Sequence, residues 1–235
     1  ALFILSPNEI KIIKDKINYT KEMYLVPNGY DSFFLKKSNM IIKNELIKKF
    51  NLNLQIPIFS FIGNHTHNKG IDIILKSLKY IKGDFKIIIG GAIRSKDEIK
   101  NLINSTDLLE GENRYIFTDF LTDEEVLALY EISNCFVFPS RSDTFPLVIL
   151  DAMASKLPII STKVGGIPYQ VDDSCGILIN PDSPDELASA IQKFINKKEL
   201  FQIMGSNSKE KVLNNFKWED SATKAYNAYK EIIKN

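Results

Sequence analysis

From residue 58 onward, short apolar runs alternate with stretches patterned for helix, and this alternation restricts the fold more than any other feature of the chain. The runs lie at 58–62, 85–89, 115–117, 136–138, 158–161 and 176–179. Between them, apolar residues recur at helical spacing, as in Ile71, Ile74, Leu75 and Leu78. Continuously apolar strands joined by amphipathic helices predict an α/β fold built on a doubly wound parallel sheet. In such sheets ligands bind beyond the carboxyl ends of the strands. The loops there are 63–70, Gly90-Gly91, 118–121, 140–144 and 162–166, most of them rich in glycine or small polar residues. Together they predict one crevice, and that crevice is the candidate site.

The stretch 136–153 is the centre of this arrangement. Phe136 to Phe138 read as a buried strand, Pro139 and Ser140 stop it, and a polar turn follows from Arg141 to Thr144. A helical pattern begins at Phe145, with Thr144 as the expected N-cap and Pro146 in the first turn. A helix start at the end of a strand directs backbone N–H groups and a positive dipole end at the crevice, a setting suited to phosphate. Two carboxylates flank it: Asp143 in the turn and Asp151 further along the helix, where an eight-residue step would leave them at similar azimuth. Asp143 is equally readable as a turn former. Asp151, on a mostly apolar helix, reads better as a ligand group than as surface.

The remaining segments are read in order. Residues 2–5 form a strand, and Ser6-Pro7-Asn8-Glu9 predicts a capping box opening a helix to about Lys16. A chain that opens inside an apolar strand leads us to expect further chain upstream. Residues 23–26 form the next strand, and the polar segment 28–40 is expected to be a hinge or linker. Asn39 is an expected helix cap, and Thr122-Asp123-Glu124-Glu125 is a second capping box. A helix is expected from about Lys96, and three more close the chain at 184–196, 199–214 and 218–234. Trp218 and Tyr226 are expected to pack the last of these onto the body.

Composition removes several function classes. Lys and Arg total 30 against 29 Asp and Glu, for a formal net charge of +1, so no global field favours nucleic acid. No apolar run is long enough to span a bilayer. Cys135 and Cys175 are far apart and read as buried free thiols in a reducing compartment. His65 and His67 share a loop with no third ligand nearby, so exposed polar residues are the better reading than a metal site. Lys36-Lys37 and Lys48-Lys49 read as solvated faces, with weak contact to an anionic membrane as the alternative. On spacing alone Lys69 would be a solvated lysine; the strand–loop–helix context is what makes it a phosphate candidate. No Gly-x-Gly-x-x-Gly follows a strand, which argues against a dinucleotide-binding dehydrogenase.

Six fragments in order resemble the C-terminal, donor-binding half of retaining glycosyltransferases of family 4, which have the GT-B architecture of two Rossmann-like domains. They are Val26-Pro27-Asn28-Gly29-Tyr30-Asp31; Phe61-Ile62-Gly63 through Lys69-Gly70; Pro139-Ser140 through Met153; Gly165-Gly166-Ile167-Pro168; Cys175 to Ile179; and Phe216-Lys217-Trp218-Glu219. The resemblance covers nearly the whole chain. It implies a remnant of an acceptor domain at 1–27, a nucleotide-sugar-binding domain at 28–216, and a crossover helix at 217–235. It further implies that Lys69 neutralises the donor diphosphate, with Gly63 and Asn64 beside it. Asp143 would meet the transferred sugar, and Asp151 the ribose. The backbone N–H groups of Phe145 and Leu147 would face the phosphates, and Asp119-Phe120-Leu121 would hold the base. The implied donor is a nucleoside-diphosphate sugar, with UDP or GDP foremost, and no bound metal or other cofactor is implied. The implied acceptor is a glycan or lipid-linked glycan held by the N-terminal domain, in the cytoplasm or at the inner face of the membrane. The sequence departs from the family pattern at Asn64 in place of Arg, at Asp143 and Asp151 in place of Glu, at Pro146 in place of Gly, and at Tyr169 in place of Glu. Two other readings of the same fold are a nucleotide-sugar epimerase and a non-catalytic donor-binding or scaffolding module.

Overall fold

The computed structural model describes residues 1–91, 96–106, 108 and 112–234. The apolar runs become β3 (Ile58–Ile62), β4 (Lys86–Gly90), β5 (Tyr115–Phe117), β6 (Cys135–Phe138), β7 (Ile159–Thr162) and β8 (Gly176–Ile179). They pair in parallel in the order β5-β4-β3-β6-β7-β8. Successive strands therefore run outward from β3 to one edge and from β6 to the other. The order reverses between β3 and β6, where Phe59 faces Cys135 and Ser60 faces Phe136. A crevice opens at such a switch point because the following helices leave in opposite directions.

Flanking helices are α3 (Ile71–Ser77), α4 (Lys96–Asn104), α5 (Asp123–Ile132), α6 (Leu147–Ala154), the single turn α7 (Ile167–Gln170), α8 (Pro184–Asn196) and α9 (Glu199–Asn215). Every residue of β6 is buried, as expected of a central parallel strand covered on both faces. Phe61 stacks on Phe138 with ring centroids 5.7 Å apart, joining β3 to β6 directly beneath the crevice. Thr122 forms its predicted capping box with Glu125. Cys135 and Cys175 are buried free thiols.

Residues ahead of this sheet form a second unit. β1 (Leu2–Ile4) and β2 (Met23–Leu25) pair in parallel around α1 (Pro7–Ile17). The last helix, α10 (Trp218–Lys234), returns to this unit, with Phe3 and Tyr229 ring centroids 5.1 Å apart. Its buried residues are Ser221 and Ala228, whereas Trp218 and Tyr226 are exposed. The expectation that those two aromatics pack the helix holds only in part: Trp218 lies against Gly29, where an added Cβ would come within 2.7 Å of its Cγ, small residues make the rest of the close approach, and Tyr226 instead lies under Lys230 Nζ.

Three further expectations are revised. The Ser6–Glu9 capping box does not form. Glu9 accepts the N–H of Leu5 at 3.0 Å, one residue earlier, and the Ser6 hydroxyl caps nothing. The predicted hinge 28–40 is docked. Tyr30 N–H bonds Phe216 O at 2.9 Å, Asp31 caps a short 3₁₀ turn at Ser32–Leu35, and Ser38 is buried against Glu131. Asn39 then caps α2 (Met40–Lys49) as expected. Finally, α6 starts at Leu147, not Phe145. Thr144 is not its cap, and Pro146 is extended at the cap position (φ −67°, ψ 117°). Phe145 is buried against Phe216, and that packing outweighs the local helical pattern.

Candidate functional site

At the switch point, two segments meet. The loop after β3 runs from Gly63 through a 3₁₀ turn at His67–Lys69 to Gly70. The turn after β6 runs from Pro139 to Thr144. Gly70 has φ +72°, and a Cβ there would lie 2.1 Å from Pro139 O, so only glycine lets the two segments touch. Across this contact, Lys69 Nζ donates to Asp143 Oδ1 at 2.8 Å and to Oδ2 at 3.0 Å. The side chains retain 24% and 15% of their exposure, so the pair is sheltered yet reachable from the crevice. Ser140 Oγ donates to the second oxygen of Asp143, and Lys69 Nζ also lies 5.2 Å from the Phe138 ring centroid. The Asp143 carboxylate therefore faces Lys69, the cation that the sequence placed in the site.

Asp151 does not share this cluster. Because α6 begins after Asp143, the two acids are not on one helix, and the azimuth argument made from the sequence fails. Asp151 Oδ1 accepts the backbone N–H of Asp31 at 3.2 Å. Its carboxyl lines a cleft of about 510 Å³ with Gly29, Ser32, Leu147, Trp218 and Glu219. Burial pushes its pKa up to about 7; the Asp31 N–H opposes the shift, and the charges of Asp31 and Asp123 add to it. Leu147 is half-exposed at the mouth of the same cleft and opens α6.

The other predicted site residues divide between surface and core. Asn64 is exposed at the crevice, and its carbonyl accepts the N–H of Thr66 at 2.8 Å. Gly63 N–H bonds Gly90 O at 3.0 Å, and Gly91 packs so closely that a Cβ there would lie 1.9 Å from Gly63 O. Asp119 is exposed and Phe120 is 74% exposed, whereas Leu121 is 6% exposed and belongs to the core. Phe145 is also a core side chain, so its contribution to any ligand is confined to the backbone.

His65 departs from expectation. It is half-buried, its ring stands edge-on to Phe117 with centroids 5.5 Å apart, and burial holds its pKa below the ordinary value. His67 is exposed, as expected. Among the described residues, no group of three or more His, Cys, Asp or Glu is placed to hold a metal ion, and no helix is long and apolar enough to cross a membrane. Sequence reasoning gave Arg141 no role, yet its guanidinium bonds Asp72 through two nitrogens, at 2.7 and 2.8 Å. The signal was an arginine, rare in this chain, in the turn after β6, with an acid in the first turn of α3, which follows the neighbouring strand β3.

Known proteins share this layout. Residues 42–211 match the family described as glycosyl transferases group 1. An uncharacterized glycosyltransferase of Methanocaldococcus jannaschii is 30% identical over 203 residues, covering 84% of this chain and 55% of the relative. A capsular polysaccharide biosynthesis glycosyltransferase of Staphylococcus aureus is 28% identical over 221 residues, covering 89% and 57%. The solved structure of Anabaena HepE in complex with UDP-glucose superimposes with a TM-score of 0.79 at 19% identity, over 99% of this chain and 63% of that one. The chain thus spans little more than half the length of the curated relatives it matches. With a family match running from α2 into α9 and the sheet order of a doubly wound domain, this chain belongs to the glycosyl transferases group 1 and has the fold of a C-terminal GT-B glycosyltransferase domain.

Proposed function

We propose that the crevice between β3 and β6 binds a nucleoside-diphosphate sugar, and that the whole protein transfers the sugar with retention to a glycan or lipid-linked acceptor in surface-glycan synthesis. The observation that carries this reading is the Lys69–Asp143 pair across the strand-order reversal. An ammonium there faces the developing charge as the bond between the anomeric carbon and the diphosphate oxygen breaks. Asp143, which accepts two hydrogen bonds from that ammonium, is assigned the hydroxyls of the transferred sugar. Gly63 and Asn64 line the phosphate side, and Asn64 supplies neutral donors where a guanidinium would give a charged fork. The backbone N–H groups of Phe145 and Leu147 lie at the start of α6. Exposed Phe120, with Asp119 and the backbone of Leu121, offers a surface for the base. Asp151 in its cleft is assigned to the ribose.

Two findings support this choice. The fold is shared with a protein solved with UDP-glucose, and a capsular polysaccharide glycosyltransferase is among the relatives. The donor is used without a bound metal, in the cytoplasm or at the inner face of the membrane. Exposed Lys36, Lys37, Lys48 and Lys49 beside exposed Met40 and Ile41 suit a peripheral contact with anionic headgroups. The isolated chain binds donor but turns over poorly, because acceptor contacts lie on the remainder of the whole protein.

A thermal-shift panel of UDP, GDP and ADP tests the reading. A ligand at a hundred times its Kd adds about 2.7 kcal/mol, enough to raise Tm by a few degrees. A shift for one base supports the site; no shift with any of them, in this chain and in the whole protein, removes it.

A further inference from the structure

Arg141 lies just before Asp143 in sequence, but its bonds run to the loop that carries Lys69. Its backbone N–H donates to Asn68 O at 2.7 Å. Nη1 donates to His67 O at 2.6 Å and to Asp72 Oδ1 at 2.7 Å, and Nη2 donates to Asp72 Oδ2 at 2.8 Å. Nε reaches Asp182 Oδ1 at 2.5 Å, beyond β8. Ser140 Oγ, whose one proton goes to Asp143, also lies 2.9 Å from Asn68 O. One side chain therefore joins the turn after β6 to both ends of the segment 67–72, and Lys69 lies inside that segment.

The chemistry of the pair matters. Asp72 and Arg141 keep only 11% and 13% of their side-chain exposure, so salt and water screen them less than a surface pair. Burial raises the Asp72 pKa, but hydrogen bonds from Arg141 and Lys76 outweigh it and hold the carboxyl below its ordinary value. A guanidinium bound through two parallel nitrogens fixes orientation as well as distance, which an ammonium does not. Lys69 and Asp143 come from loops on opposite sides of the strand-order reversal. Their separation is therefore set by whatever holds the loops together, and groups acting on one ligand tolerate little displacement.

We propose that Arg141, through its two-nitrogen bond to Asp72, is a positioning residue that holds the turn of Asp143 against the loop of Lys69 and so keeps these two side chains in register. This rests on the reading of Lys69 and Asp143 as donor contacts, and its test separates the two claims.

The first arm needs no ligand. The 235-residue chain is exposed to acetic anhydride, and modification of Lys69 is followed by mass spectrometry against exposed Lys37 as the internal standard. Arg141→Gln raises the relative rate at Lys69 several-fold, Asp72→Asn does the same, and Arg141→Lys gives an intermediate rate. Wild-type rates in all three, with the circular dichroism spectrum retained, overturn the proposal. If Arg141→Gln does not fold, Arg141→Lys and Asp72→Asn carry the comparison. The second arm measures affinity for UDP, GDP and ADP in a double-mutant cycle of Arg141→Lys with Lys69→Ala. Loss of affinity on Arg141→Lys that vanishes in the Lys69→Ala background supports positioning; fully additive losses overturn it. If the wild type binds none of the three while the acetylation pattern holds, the donor reading fails and the positioning role stands.

Discussion

Lys69 Nζ and Asp143 Oδ1 stand 2.8 Å apart, joined from loops that follow strands on opposite sides of the point where the sheet order reverses. Each charge is therefore held ready by its partner. A diphosphate entering the crevice must compete with Asp143 for the ammonium, or bind it from the side that the carboxylate leaves open.

Lys69→Ala is expected to weaken binding of the preferred nucleoside diphosphate with little effect on folding. A hydrogen bond to a charged group contributes about 1.5–3 kcal/mol, roughly ten- to a hundredfold in Kd. The ion pair itself is partly solvated and contributes about 1 kcal/mol or less to stability. Isothermal titration with urea unfolding checks both halves; unchanged affinity would remove Lys69 from the site. Asp143→Asn is expected to act differently. It frees the ammonium, so affinity for the bare diphosphate holds or rises, while sugar transfer by the whole protein falls.

Gly70→Ala tests the contact that brings the segments together. The position has φ +72°, and the added Cβ would meet Pro139 O at 2.1 Å. A carbonyl in the chain cannot swing away as a flexible side chain can. Destabilisation on the order of 3 kcal/mol is expected, from positive φ and steric overlap together. The urea midpoint falls with an unchanged m-value. A wild-type midpoint would mean that Pro139 and Gly70 separate at little cost, and the seam would not be rigid.

Phe120 and Leu121 are adjacent but should respond to alanine in opposite ways. Phe120 is 74% exposed, so its loss should change stability by no more than about 0.5 kcal/mol while lowering nucleotide affinity. Leu121 is 6% exposed and lies near Gly90, so its truncation should cost about 2–5 kcal/mol of stability. Equal Kd values for Phe120→Ala and wild type would move the base away from this loop.

These contrasts also mark what the sequence could disclose. Strand positions were readable because central parallel strands need continuous apolar runs, and β3, β5 and β8 fall where expected. The Asn39 and Thr122 caps were readable because each depends on neighbours in sequence alone. The start of α6 was not, since Phe145 is taken by Phe216, far along the chain. The same holds for His65, drawn under Phe117, whereas Glu9 took a local alternative, the N–H of Leu5 four residues back, that the capping pattern did not exclude. At the site, Lys69 and Asp143 were individually visible as candidates. Their contact, the separation of Asp151 from them, and the Arg141–Asp72 clamp depend on which loops the sheet order makes adjacent.

Asp151 makes its own contribution to the pH dependence of the fold, opposite in sign to that of His65, whose lowered pKa favours the folded state as pH rises. Burial raises its pKa in the folded chain to about 7, against about 3.9 when unfolded. Between those values the unfolded chain has lost a proton that the folded chain keeps. The contribution of Asp151 to stability then falls as pH rises, because its folded state binds more protons. Below about pH 4 both states are protonated, and above about pH 7 both are ionised, so the slope is confined to that window. Asp151→Asn keeps an oxygen for the Asp31 N–H and removes the ionisation. Wild type and variant should be close at pH 4 and diverge as pH rises, with the variant more stable at pH 8 by on the order of 4 kcal/mol. Urea midpoints at pH 4 to 8 read this directly; parallel curves would show that Asp151 ionises as easily folded as unfolded. The same variant should bind nucleoside diphosphate more weakly if the carboxylate accepts ribose hydroxyls. Gain of stability with loss of affinity in one substitution is then the signature of a buried acid kept in a cleft for a ligand.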